Sequence, residues 1–221
     1  MTYTIEDFDN FEVDEYGYKI CPSGDYSQIK NFDIKCSFNE RCSFSNGCSF
    51  TERCHFDENC SFGATCSFEM SCSFAAECSF GEDCYFYADC DFKMWCRFGE
   101  DCRFAENCRF GKGCSFGMYC SFCENCSFDE GCRFGEMCTL ENNLKFENIR
   151  EQVDRVIKID RIGSRRDCTY FFKTSSNIYV SCGCFFGTIA KFEAKVNETH
   201  KNNEQYKKEY LEAIKYIKAV M

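Results

Sequence analysis

Cysteine and histidine are the side chains here with the chemistry to hold a metal, form disulfides or attack a substrate, and the chain carries 23 of the first and two of the second in 221 residues. Their spacing limits what they can do. Cysteine occupies every sixth position from Cys36 to Cys138, eighteen times without a break. A metal centre needs thiolates that converge on one point. A disulfide needs Cβ atoms about 3.5–4.5 Å apart. A periodic column repeating at the roughly 4.8 Å strand spacing suits neither, so the repeat cysteines read as small buried filler, with metal and disulfides as the alternatives. Cys123 breaks the register and is expected at a solvent-facing corner, a candidate reactive thiol or an incidental surface residue. Cys168, Cys182, Cys184 and His200 form a candidate zinc set. His55 falls among serines and His200 near a helix end, and neither has neighbours in sequence that would tune a catalytic base.

The elements that carry these residues follow from the same period. Phenylalanine stands two residues after each repeat cysteine from Phe38 to Phe134, and Leu140 closes the series. Weaker hexads are expected at Tyr18/Ile20, Gly24/Tyr26 and Lys30/Phe32 before it, and at Leu144/Phe146 after it. Residues i and i+2 of a strand share one side, so Cys-x-Phe turns both large groups inward and the middle residue outward. The other three residues must turn the chain. The position before the cysteine favours types that tolerate a left-handed backbone, such as Gly47, Asn59, Asp83, Asp101, Asn107 and Gly131. Three sides close a coil of 18 residues, and about seven coils make a parallel β-solenoid over residues 18–147.

This pattern resembles the hexapeptide-repeat family, whose left-handed triangular β-helices read small-x-aliphatic; here cysteine takes the small position and phenylalanine departs from the aliphatic one. The alternative is a square right-handed coil like that of pentapeptide-repeat proteins, which accept Cys-x-Phe inward but repeat every five residues. Residues 1–17 are expected to cap the first coil, with Ile5, Phe8, Phe11 and Val13 as plugs. Residues 148–221 read as a small α+β domain. Its three strands are Val153–Ile162, Cys168–Lys173 and Asn177–Cys182; a helix runs from Thr188 to about His200, and a second from Glu204 to Val220. The layout also resembles uncharacterised bacterial and phage-borne Cys-x-Phe hexapeptide proteins with a Gly-Ser-Arg … Gly-Cys-Phe-x-Gly-Thr tail, here Gly163-Ser164-Arg165 and Gly183 to Thr188. That resemblance brings no activity with it; its phage-borne members imply an inhibitor of a host defence or nucleic-acid enzyme.

Outward positions are mostly serine, changing to Tyr85, Asp91, Arg97, Arg103 and Arg109 in the middle coils. Corners carry glutamates, a solvated face or an array imitating phosphates, and also Met70, Met94, Trp95, Met118, Tyr119 and Met137. Exposed groups of those types mark binding surfaces, so these six are the candidate protein-binding residues. Ser164, Arg165, Arg166, Gly183, Gly187 and Thr188 are the candidate anion-binding residues, beside a helix N-terminus. The net charge is −10 and the pI about 4.9, while residues 141–221 hold 11 acidic against 15 basic groups. An acidic body argues against binding duplex DNA directly. No apolar run is long enough to span a membrane, no signal peptide is evident, and a cytoplasmic location is expected. The composite expectation is a non-enzymatic protein-binding solenoid with no cofactor. Its partner is another protein or a further copy of the chain. The alternatives are a coenzyme A-dependent acyltransferase and a structural, self-assembling protein.

Overall fold

The computed structural model describes the whole chain except Glu136, Met137, Asn142, Asn143, Asn148, Arg165, Arg166 and Cys184, and the side chains of Arg150, Gln152 and Asp167. It divides into two units, Met1–Glu141 with Phe146–Asn148, and Asn142–Lys145 with Ile149–Met221.

In the first unit each hexad contributes one short strand, and every third strand joins the same parallel sheet. Face A contains Ser43–Phe44, Ser61–Phe62, Ser79–Phe80, Arg97–Phe98, Ser115–Phe116 and Arg133–Phe134. Face B runs from Asn31–Phe32 through Tyr85–Phe86 and Arg103–Phe104 to Thr139–Leu140. Face C runs from Lys19–Cys21 through His55–Phe56, Asp91–Phe92 and Arg109–Phe110 to Ser127–Phe128. Residues 18 apart are direct partners, as in Ser43↔Ser61 and Tyr85↔Arg103. The coil is therefore three-sided with 18 residues, as the period implies.

The corner chemistry extends further than the residue types announce. The residue before the cysteine has φ between 56° and 76° at every hexad from Arg41 to Gly131. Glycine, asparagine and aspartate accept this region, but Thr65, Trp95 and Tyr119 also occupy it, at about 1–2 kcal/mol each. The coil makes the conformation obligatory because the amide must turn to the next coil, as Trp95 N–H does to the Lys112 carbonyl at 2.9 Å.

Phenylalanine fills the core in three columns. Rings 18 residues apart lie parallel, with Phe50 and Phe68 centroids 4.9 Å apart at 1°. Rings six apart meet edge to face, as Phe50 and Phe56 do at 5.0 Å and 90°. Both geometries suit the ring quadrupole, and each fully buried ring contributes about 1.5–3 kcal/mol through burial alone. A flat ring that stacks along the axis and presents its edge to the other two columns explains why phenylalanine can replace the expected aliphatic residue.

The cysteines have a second role beside filling. In the ladder the Cys and Phe carbonyls each accept an N–H from the next coil, and so does the second corner carbonyl from the previous coil. From Asn39 to Gly117 the carbonyl just after each phenylalanine receives no ladder N–H. The thiol of the cysteine 21 residues later points to it, from Cys60 to the Asn39 carbonyl (3.5 Å) through Cys84 to Gly63 (3.4 Å) and Cys120 to Gly99 (3.3 Å). A thiol is a weak donor, yet it gives this part-buried acceptor a partner. Among the described residues no cysteine is disulfide-bonded. Neighbouring thiols above and below, and then burial, push Cys36, Cys72, Cys96, Cys102 and Cys108 far above the ordinary thiol value.

The first coil departs from expectation. Lys19 pairs with Cys36 and Cys21 with Phe38, an offset of 17, whereas Asp25 bridges Ser43 at 18. Lys19 and Cys21 therefore point inward, while Ile20 is exposed; a slip of one residue exchanges the faces of a strand. Lys19 remains satisfied because its Nζ donates to the Phe8 carbonyl (2.8 Å) and lies over the Phe8 ring. Lys30 turns outward to the Ser45 hydroxyl, and Ile29 enters the core instead. The cap plugs with Tyr3, Phe8 and Phe11 against Tyr26 and Phe32. Ile5 and Val13, expected as plugs, are exposed: Ile5 opens a one-turn helix whose inward residue is Phe8. At the other end Phe146 stacks on Phe128 as the weak hexad predicts.

The second unit contains an antiparallel sheet of four strands, Arg155–Ile162, Asp167–Lys173, Ile178–Cys182 and Phe185–Thr188, in sequence order. The last was expected as loop. Gly183, at φ +59°, turns the chain so that Cys182 faces Phe185, while Gly187 lies within the last strand opposite Val180. Helices Ile189–Thr199 and Glu204–Val220 follow. Phe192, Val196, Tyr210, Ile214 and Ile217 pack with Phe171 and Val180 into its core.

Candidate protein-binding site

The 18-residue coil assigns each candidate to a corner. Met94 and Trp95 lie on the edge from face C to face A, Met118 and Tyr119 on the edge from A to B, and Met70 on the edge from B to C. Met137 lies outside the described residues. Trp95 and Tyr119 are 49% and 51% exposed, and both hold the left-handed corner position at φ +60°. The Trp95 indole leans onto the corner of the next coil, where a Cβ on Gly113 would overlap its ring. That glycine leaves the space the indole uses.

Tyr85 and Tyr87, not among the candidates, belong to the same band. They meet edge to face with centroids 4.7 Å apart, both partly exposed, on face B and its far edge. The signal was available, since Tyr85 occupies an outward position where serine is the rule. Between Cys36 and Phe134 the exposed large apolar residues are Met70, Tyr85, Tyr87, Met94, Trp95, Met118 and Tyr119. All fall within three to four consecutive coils. Within that stretch Arg97, Arg103 and Arg109 place one exposed guanidinium on each face. Among the described residues none of the three forms an ion pair.

The glutamates do not form a continuous array. Glu40 and Glu58 stack on the C-to-A edge, Glu82 and Glu100 on A-to-B, and Glu106 and Glu124 on B-to-C, with other residue types between. Several carry a cation of their own, such as Lys112 with Glu130 and Arg41 with Glu40. A shallow, open depression on face C is lined by Asp91, Lys93, Arg109, Ser127 and Asp129. Asp91 and Lys93 pair there at 3.1 Å, and burial, then Glu147, raises the Asp129 carboxyl.

The other candidates separate. His55 lies on the open face C, with Nδ1 2.5 Å from the Ser73 hydroxyl, Nε2 3.0 Å from the Tyr18 hydroxyl and its ring against Tyr18. Cys123 is half-buried, and burial, followed by the Glu141 carboxylate, the Cys126 thiol and the carboxylates of Glu106 and Glu124, raises its thiol. That is the reverse of the electropositive setting that activates a cysteine.

In the second unit the anion-binding set does not converge. Gly163, Ser164 and Gly183 lie at one end of the sheet, while Gly187 and Thr188 follow Phe185 and Phe186 toward the other end and along the opposite edge strand. The Gly163 N–H is already taken by the Glu209 carboxylate at 2.8 Å. Arg165 and Arg166 lie outside the described residues. The zinc set divides for a similar reason. Cys182 pairs with Thr169, whose hydroxyl meets its sulfur at 3.3 Å. The neighbouring Cys168 must then face the opposite side of the sheet, where burial, then Asp160, raises its thiol to about 11. His200 stacks on Tyr210, and Cys184 lies outside the described residues.

Comparisons with protein families, with curated proteins and with solved structures each find no match. Among the described residues, no helix is long and apolar enough to cross a membrane.

Proposed function

We propose that the chain is a non-enzymatic protein-binding solenoid whose site is the band from Met70 to Tyr119. One observation carries this reading. The solenoid concentrates its exposed tryptophan, tyrosines, methionines and unpaired arginines in adjacent coils, and these are the types enriched at binding hot spots. Trp95 and Tyr119 place large, half-exposed side chains at corners where glycine or asparagine would meet the coil's left-handed backbone with less strain. The engagement of both His55 ring nitrogens on an open face speaks against the acyltransferase alternative. The scattered, partly paired glutamates lend little to phosphate imitation. An inhibitory role against a host defence or nucleic-acid enzyme rests on the family resemblance alone.

The test is affinity capture from host lysate with and without nuclease, comparing the wild-type chain with Trp95→Asn/Tyr119→Asn. A stoichiometric protein, or a further copy of the chain, that survives nuclease and is lost with the double variant is the expected result. Identical captures by both baits would reject the band. A captured protein's identity would decide the inhibitor reading.

A further inference from the structure

The outward column of face A reads Ser43, Ser61, Ser79, Arg97, Ser115, Arg133 along the axis. Arg97 pairs in register with Ser79 below and Ser115 above, and Ser115 with Arg133. One edge of this face carries Met94 and Trp95, the other Met118 and Tyr119 above Glu100 and Asp101. The Asp101 N–H donates to the Met118 carbonyl at 2.9 Å, which puts the acidic pair directly beneath the apolar one. Arg97, Glu100 and Asp101 are exposed, and among the described residues none of them has a hydrogen-bonded or ionic side-chain partner within the chain.

We propose that face A is a dimer interface, occupied by face A of a second copy running antiparallel, with the two-fold axis between the coils of Arg97 and Ser115. The inference rests on the protein-binding reading and names the partner of that part of the band. A two-fold operation of this kind exchanges the two coils, so each residue meets the other coil of the second copy. Arg97 then faces Ser115 and Ser79 faces Arg133, large against small and cation against hydroxyl, with no arginine opposite an arginine. At one edge the Trp95 indole already leans across toward the Gly113 corner of the next coil, and so over the gap between coils where the axis passes, and the two indoles meet each other. At the other edge Met118 and Tyr119 cover Glu100 and Asp101 of the second copy, where the tyrosine hydroxyl can donate to a carboxylate. Face B, with Tyr85, Tyr87 and Arg103, remains open for a different partner.

The full-length protein tests this in two steps. Sedimentation should show a reversible dimer of the wild-type chain that weakens at least about tenfold in Trp95→Asn. A monomer at every concentration would overturn the inference and leave the capture experiment to judge the protein-binding reading separately. Register is then read by mixing two single variants, Ser79→Cys and Arg133→Cys, with a short bismaleimide, beside the wild-type chain as the control for its native thiols. These positions lie three coils apart on face A, so only the mixture brings them opposite each other. A cross-linked dimer is expected in the mixture and not from either variant alone. Cross-linking of a variant with itself, or none in the mixture, would overturn the proposed axis. Neither position is in the core, and unchanged thermal unfolding of each variant excludes misfolding as the cause.

Discussion

Trp95, Tyr119 and Thr65 share a backbone conformation that the coil imposes and their side chains resist. Thr65→Asn should therefore stabilise the chain by about 1 kcal/mol, read from the urea midpoint, because asparagine accepts a positive φ more readily than a β-branched residue. At Trp95 the relief is offset by lost packing of the half-buried indole on Gly113. Trp95→Asn is expected to leave unfolding within about 1 kcal/mol of wild type while association falls. The core cysteines give a complementary case. Cys84→Ala removes the donor to the Gly63 carbonyl as well as the sulfur's volume, and should cost about 1–3 kcal/mol. Where a corner carries Gly47 or Asn59 its conformation is legible from residue type; at Trp95 only the period reveals it.

At the scale of the element, stability comes from repetition. Phe86 touches its neighbours in its own column and in the other two, so Phe86→Ala should cost about 3–5 kcal/mol. A solenoid behaves as a sum of coils and nearest-neighbour contacts. Deleting one whole coil, residues 42–59, should preserve both register and association. Deleting the six residues 108–113 should also leave a folded solenoid. It would move Met118 and Tyr119 to a different edge, and sedimentation should then show the dimer lost. In the second unit Glu151 accepts from the Ser176 and Ser175 hydroxyls. The Ser176 hydroxyl first, then Thr174, hold its carboxyl down at about 2. A depressed carboxylate stabilises above its unfolded value, near about 4.3, and that contribution disappears as pH falls toward 2. Wild type and Glu151→Gln should differ in urea midpoint at neutral pH and converge in acid.

At the scale of the whole molecule the net charge of −10 keeps copies apart except where the local balance changes. The middle coils supply Lys93, Arg97, Arg103, Arg109 and Lys112 against a body otherwise rich in glutamate. Two copies share the same net charge, so screening it with salt favours their association. Association of the wild-type chain should therefore respond to salt, and Arg97→Glu should weaken it by sedimentation while sparing the fold.

Period and residue type were sufficient to determine the three-sided parallel coil, the inward Cys and Phe and the left-handed corners, because each hexad repeats one local solution eighteen times. The two tail helices were equally legible from their apolar faces. The first coil was not, because Lys19 and Cys21 enter the core through a one-residue slip, and Lys19 is accommodated there by the Phe8 carbonyl and ring of the cap. Phe185–Thr188 was hidden as well, since only pairing with Ile178–Cys182 makes a strand of a glycine-containing segment. The candidate sites depended most on tertiary structure. Alternation across a sheet separates Cys168 from Cys182, strand length separates Gly163 from Thr188, and the 18-residue coil brings Trp95, Arg97 and Tyr119 to one face. Those relations are distances between strands far apart in sequence, and only the folded chain sets them.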